Sequence, residues 1–160
     1  MTKRLIMAMG VLILVLAVSG IAVAGSSATS FGLQTNAIAD CKITTPATNI
    51  DFGSYDPTVT NNNDNGTGGF GFKCTKGTAY KVYITGTRAM TSGAETLNFE
   101  LYADAGRTSV FPNINAAGIA GSATSNAVEI ITNIYGRIPA GQDVTAGKTF
   151  NQTLTVTVDY

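Results

Sequence analysis

The chain has no histidine among its 160 residues. That removes His-based catalytic triads and His-ligated metal sites from consideration. Charge is scarce as well: ten basic and ten acidic residues make up 12% of the chain. Such a balance gives no electrostatic footprint for nucleic acid or an anionic membrane, so neither is an expected partner. Only two cysteines occur, Cys41 and Cys74. No run of three amphipathic helical turns is found, and no internal repeat or long linker divides the chain.

What is present begins with an export signal. Lys3 and Arg4 precede an apolar run over residues 5–18, Ser19-Gly20 interrupts it, and Ala22-Val23-Ala24 supplies a small-x-small cleavage pattern. Residues 1–24 are therefore read as a signal peptide rather than a membrane anchor. Cleavage leaves eight basic and ten acidic residues in residues 25–160, a net charge of −2. That length suits one domain with a real core. Both cysteines lie in the exported part, and an oxidising compartment makes a disulfide the default. The alternatives, a metal site or a redox pair, lack supporting ligands.

Period-two stretches dominate. Strands are expected over residues 29–38 and 41–45, the latter ended by Pro46, with a short extended piece at Ile50-Asp-Phe-Gly53. A polar loop over residues 60–69 precedes a strand with Phe70, Phe72 and Cys74 in alternation. Lys76-Gly77 turns into a strand with Tyr80, Val82 and Ile84. Leu97, Phe99 and Leu101 mark another, and Val110-Phe111 a short one. Residues 127–135 place Val128, Ile130 and Thr132 on one face and Ile131 on the other. Leu154, Val156, Val158 and Tyr160 alternate with polar residues in the final strand. Many short strands at close spacing, separated by turn residues, predict an all-β antiparallel sandwich.

Several local patterns mimic chemistry. Gly66-x-Gly68-x-x-Gly71 matches a dinucleotide fingerprint, but a strand follows it where a helix is required. Asn61, Asn63, Asn65 and Gly66 echo a calcium loop, yet position 12 is Phe72 and the loop has one carboxylate, Asp64. Asp and Glu are scattered singly, so no enzyme, cofactor or metal is expected. Phe70, Phe72, Tyr80, Phe99, Tyr102 and Tyr135 could form a sugar platform, but ordinary strand and core positions account for them.

The two ends are unusual. Phe31, Leu33, Thr35 and Ala37 alternate just ahead of Cys41, and residues 37–40 hold no turn that would fold them back. The chain stops at Tyr160, at the end of its cleanest strand, which makes that strand a pairing edge. A projecting strand at one end and a bare edge at the other point to a polymer subunit.

The motifs Cys41-Lys-Ile-Thr, Ile50-Asp-Phe-Gly-Ser-Tyr55, Phe72-Lys-Cys-Thr-Lys-Gly-Thr-Ala-Tyr80 and Arg88-Ala-Met90 occur in order. Leu97-Asn-Phe-Glu-Leu-Tyr-Ala-Asp104 with Arg107, Ile134-Tyr-Gly-Arg-Ile-Pro-Ala-Gly-Gln142 and the run from Gly147 to Tyr160 follow. Together they resemble the spore coat protein U domain of archaic chaperone–usher pilus subunits. Phe150 and Gln152 stand where that family usually has Tyr and Asp, and Phe111 lies where it often has Trp. The resemblance implies an incomplete immunoglobulin-like antiparallel β-sandwich, completed by a donor strand from a neighbouring subunit. It divides the chain into the signal (1–24), an N-terminal donor extension (25–39) and a pilin domain (40–160). The implied donor residues are Phe31, Leu33, Thr35 and Ala37. The implied chaperone-binding edge is Leu154, Val156, Val158 and Tyr160. The implied partners are other copies or related pilins, a periplasmic chaperone and an outer-membrane usher, with export to the periplasm and then to a cell-surface pilus. Adhesion and biofilm formation would follow. The competing readings are a self-contained secreted coat or matrix protein and an adhesive tip module.

Overall fold

Alternation decides the inner face of each long strand. In the computed structural model, which describes residues 25–160, Phe70, Phe72 and Cys74 of β2 (Thr67–Cys74) are buried. So are Val82 and Ile84 of β3 (Ala79–Thr85). One sheet has the order β1 (Cys41–Thr45), β2, β8 (Ile130–Arg137), β6 (Glu100–Tyr102). The second has the order β7 (Ile119–Ser122), β3, β9 (Thr155–Asp159). A hairpin of β4 (Ala89–Ser92) and β5 (Glu95–Asn98) stands beside them, and every strand pairing is antiparallel. Both sheets feed one core, where Phe72 of β2 meets Tyr80 of β3 edge to face at 5.0 Å. The fold is the expected all-β sandwich.

The disulfide joins Cys41 to Cys74. The two residues are directly opposed in the β1–β2 register. Their Cα atoms are 4.1 Å apart, as in the close, non-hydrogen-bonded pairs of an antiparallel ladder. The next pair carries the hydrogen bond, from Thr75 N to Asp40 O at 2.9 Å.

The glycines that resembled a nucleotide loop make room for side chains. A Cβ on Gly66 would lie 2.4 Å from the Phe52 ring, and one on Gly136 would lie 2.5 Å from it. A Cβ on Gly68 would meet Ile50 at 2.8 Å. The segment carrying Ile50 and Phe52 thus packs onto β2 and β8 through a slot that only glycine leaves open. On Gly71 a Cβ would collide with the Glu129 carboxylate, which reaches Thr44 and Thr45 on β1 at 2.5 and 2.7 Å. Those hydroxyls hold the Glu129 carboxyl below its ordinary pKa.

Several expectations are corrected. Residues 25–40 form no regular strand, although one was expected over 29–38. An alternating segment without a paired edge has no ladder to supply its backbone hydrogen bonds. The strand read through Leu97, Phe99 and Leu101 is two, because β5 pairs with β4 whereas β6 pairs with β8. Phe99 N donates to Arg88 O at 3.1 Å at the change of partner. β2 begins at Thr67, inside the predicted loop. β8 begins at Ile130, so Val128, expected within that strand, precedes it and is exposed. The predicted signal, residues 1–24, lies outside the described residues. Residues up to Thr35 and Asn36–Tyr160 are separate units.

Candidate functional site

The last strand pairs on one side only. β9 lies against β3 with Val158 opposite Val82 and Val156 opposite Ile84. Val82 and Ile84 are each 2% exposed, whereas Val156 and Val158 pack on the same core but stay partly in solvent. Among the described residues the other edge of β9 has no ladder partner. β1 is equally unpaired on its outer edge. Ile43 of β1 is opposite the fully buried Phe72 and so shares its inward face, yet it is 50% exposed. The two edge strands leave the inner face uncovered on this side of the sandwich.

The opening deepens beyond β1 and ahead of β9. A cleft of about 960 Å³ lies there, with residues 49–57 along one wall and 144–153 along the other. Ile50, Phe52, Leu97, Ile138, Val144 and Phe150 supply its apolar surface, beside polar residues that include Asp51, Ser54, Thr145, Lys148 and Asn151. Residues 40–57 and 144–160 therefore run in opposite senses along its sides. A tyrosine hydroxyl bridges the walls at each end. Tyr160 Oη donates to Asp40 Oδ1 at 3.1 Å. Tyr55 Oη donates to Pro139 O at 3.1 Å and accepts from Gln142 N at 2.9 Å.

The irregular wall over residues 142–151 is fixed by clips to the β4–β5 hairpin. Gln142 Oε1 accepts from Asn98 N at 2.7 Å, and its Nε2 donates to Asn98 O at 2.9 Å. Asn151 exchanges backbone hydrogen bonds with Thr91 at 3.1 and 3.2 Å. Glu95 accepts from Thr145 N at 2.8 Å and lies 3.7 Å from Lys148 Nζ. The Thr145 amide, ahead of the Lys148 charge, holds the Glu95 carboxyl below its ordinary pKa. The cleft thus runs between two chain segments of opposite sense, open to solvent along its length. Backbone for pairing lies along its edges and side-chain space in its floor.

The calcium-like loop is a clasp. Arg137 donates to both Asp64 carboxylate oxygens, at 2.7 and 2.8 Å, and Arg107 lies 3.5 Å from the same carboxylate. Arg107 also donates to Asp64 O and, at 2.9 Å, to Gly136 O. The Arg137 hydrogen bond above all holds the Asp64 carboxyl below its ordinary pKa. Of the six aromatics weighed as a sugar platform, Phe70, Phe72 and Phe99 belong to the core.

Of the predicted edge residues, Val156 and Val158 lie on β9, and Leu154 is half-buried just ahead of it. Tyr160, at the end, is 57% exposed. Phe31 and Leu33 of the predicted donor segment are 81% and 87% exposed, and Thr35 and Ala37 are exposed as well. Sequence reasoning missed the wall residues Val144 and Phe150 and the bridging hydroxyl of Tyr55. Val144 and Phe150 sit in an irregular segment without periodicity. The alternation of Ile50 and Phe52 in the extended piece was the one sequence signal of the opposite wall.

An antiparallel β-sandwich, open between two edge strands, defines the class. The chain matches the Spore Coat Protein U domain over residues 27–157 and belongs to that family. No curated protein matches the chain. At a coarse level the membership is consistent with a pilus-type subunit and with the exported surface appendages typical of the family. Among the described residues no helix is long and apolar enough to cross a membrane.

Proposed function

We propose that this chain is a structural subunit of an archaic chaperone–usher pilus and polymerises by donor-strand exchange. The observation that carries the reading is the open side of the sandwich, in a chain that also carries an alternating segment whose Phe31 and Leu33 are exposed. Phe31, Leu33, Thr35 and Ala37 of one copy enter the cleft of the next. Strand addition supplies main-chain hydrogen bonds, and alternate side chains fill the floor; pilin complementation is a known example of this mode. Burial of Phe31 and Leu33 contributes roughly 3–6 kcal/mol together. Before exchange, a periplasmic chaperone pairs with the β9 edge at Leu154, Val156, Val158 and Tyr160, and an outer-membrane usher then directs the replacement. The product is a cell-surface fibre that serves adhesion and biofilm formation. The chain acts without a cofactor and is not an enzyme.

The test is the mass distribution of the oxidised exported chain in detergent, unheated and heated, for the wild type and Leu33→Asp. The expected result is a wild-type ladder that collapses to one band on heating, with Leu33→Asp remaining a folded monomer. A wild-type chain that stays monomeric at every concentration, or a Leu33→Asp ladder equal to the wild type's, overturns the proposal.

A further inference from the structure

The exported chain offers few groups to an oxidant. It holds no histidine or tryptophan, and both cysteines are joined in the disulfide. Of the four methionines, Met1, Met7 and Met9 lie in the predicted signal, so residues 25–160 carry only Met90. Its thioether is the softest side chain left, and two-electron oxidants take such a group to the sulfoxide.

Met90 stands at the cleft. It lies on β4, directly opposite Leu97 of β5, and both residues line the cavity. Leu97 is 3% exposed, whereas Met90 packs on the core and stays partly in solvent. The next residue, Thr91, exchanges backbone hydrogen bonds with Asn151, which ties β4 to the 144–153 wall beside Phe150. Backbone contacts thus keep Met90 at the cleft, with one side toward the core and one side accessible. An unbranched thioether with three rotatable bonds suits a lining that has to adapt to an incoming strand.

We infer that Met90 is an oxidation site that controls strand uptake: a peroxide converts it to the sulfoxide in a subunit whose cleft is open, the sulfoxide obstructs the donor segment, and a seated donor shields it. The inference rests on the donor-strand reading above. The step is a two-electron transfer from sulfur to the peroxide. The Met90 sulfur attacks one peroxide oxygen, the O–O bond breaks and the S–O bond forms. With hydrogen peroxide the leaving oxygen departs as water. An apolar thioether becomes a polar S–O group, for which Leu97 and Phe150 offer no hydrogen-bond partner. Residues 25–39 contain no methionine, cysteine, tryptophan or histidine, so the change falls on the acceptor and not on the donor.

The test is uptake of an acetylated peptide of residues 25–39 by the disulfide-bonded exported chain, before and after hydrogen peroxide, with the added oxygen located by peptide mass mapping. The expected result is one oxygen, at Met90, and an affinity reduced by about tenfold, the scale for burying one uncompensated polar group. Met90→Leu, a volume-conserving change, is expected to show the same uptake before and after peroxide. Met90→Gln, with a permanent polar group, is expected to bind as weakly as the sulfoxide, while its urea transition reports a folded chain. Peptide bound before peroxide is expected to slow the oxidation by at least about tenfold, since the reaction then waits for the strand to leave. Four results overturn the inference and leave the donor-strand reading standing: a Met90 that resists peroxide, uptake unaltered by the sulfoxide, the same loss in Met90→Leu, or oxidation as fast with peptide bound. No uptake by the untreated wild type overturns the donor-strand reading and the inference with it.

Discussion

Gly66→Ala tests whether the cleft wall is seated as described. The Gly66 backbone is not in the left-handed region, so alanine meets no conformational penalty there. The obstacle is the Phe52 ring, with atoms 2.4 and 2.7 Å from the new Cβ. The ring is confined by the Gly136 backbone, where a Cβ would lie 2.5 Å from it, and by Phe99, which packs on it with centroids 6.2 Å apart. If the ring stays, overpacking costs about 1–3 kcal/mol. If it leaves, re-exposing a side chain now 8% exposed costs about 1.5–3 kcal/mol. Either route predicts a loss of about 2 kcal/mol, read as a shift of the urea midpoint at constant slope with the disulfide intact. In a Phe52→Ala background, itself down by about 3–5 kcal/mol, the same glycine substitution should cost less than in the wild type, because of the close contacts only Ile50 Cγ2, 2.9 Å from the new Cβ, remains. Equal costs in both backgrounds, or no cost in the wild type, would refute the slot.

Two further expectations concern the clasp and the disulfide. The Asp64 carboxyl is held below its ordinary value by Arg137, so its contribution is complete above the unfolded carboxylate range near pH 4 and is lost as pH falls through the folded value. Asp64→Asn should lower stability at pH 7 by about 1 kcal/mol, given the partial exposure of the pair, and the gap to wild type should close as pH falls through the folded value of Asp64; a gap constant with pH would count against the clasp. Replacing Cys41 and Cys74 by serine opens a loop with a sequence separation of 33. The expected cost is about 3.7 kcal/mol on the chain-entropy model, and an unfolding midpoint within error of wild type would show the bond to be dispensable.

Much of the fold was legible because it rests on alternation. Phe70, Phe72, Val82, Ile84, Val156 and Val158 each point as their period-two pattern requires. The β4–β5 hairpin was not legible, since its strands are short and mostly polar, and Leu97 joins Phe99 and Leu101 in one uninterrupted alternation. The change of partner at Phe99 is a tertiary event that leaves the pattern intact. β7 carries Ile-Ala-Gly-Ser, with no alternation to read. At the site, β9 and the disulfide could be read, but the cleft wall over residues 142–151 could not. Its course is set by distant partners, Asn98, Glu95 and Thr91.

The position of the disulfide bears on how the domain carries tension. A pull through residues 25–39 enters the sandwich at Cys41, the first residue of β1. Without the bond to Cys74, β1 would peel pair by pair, starting where Lys42 already opposes Lys73. The sulfur bridge passes the load into β2 before that pair is stressed. β2 is an interior strand, matched to β8 over six register pairs, and a force along its axis loads those pairs in shear. The β1–β2 ladder is thereby taken out of the load path.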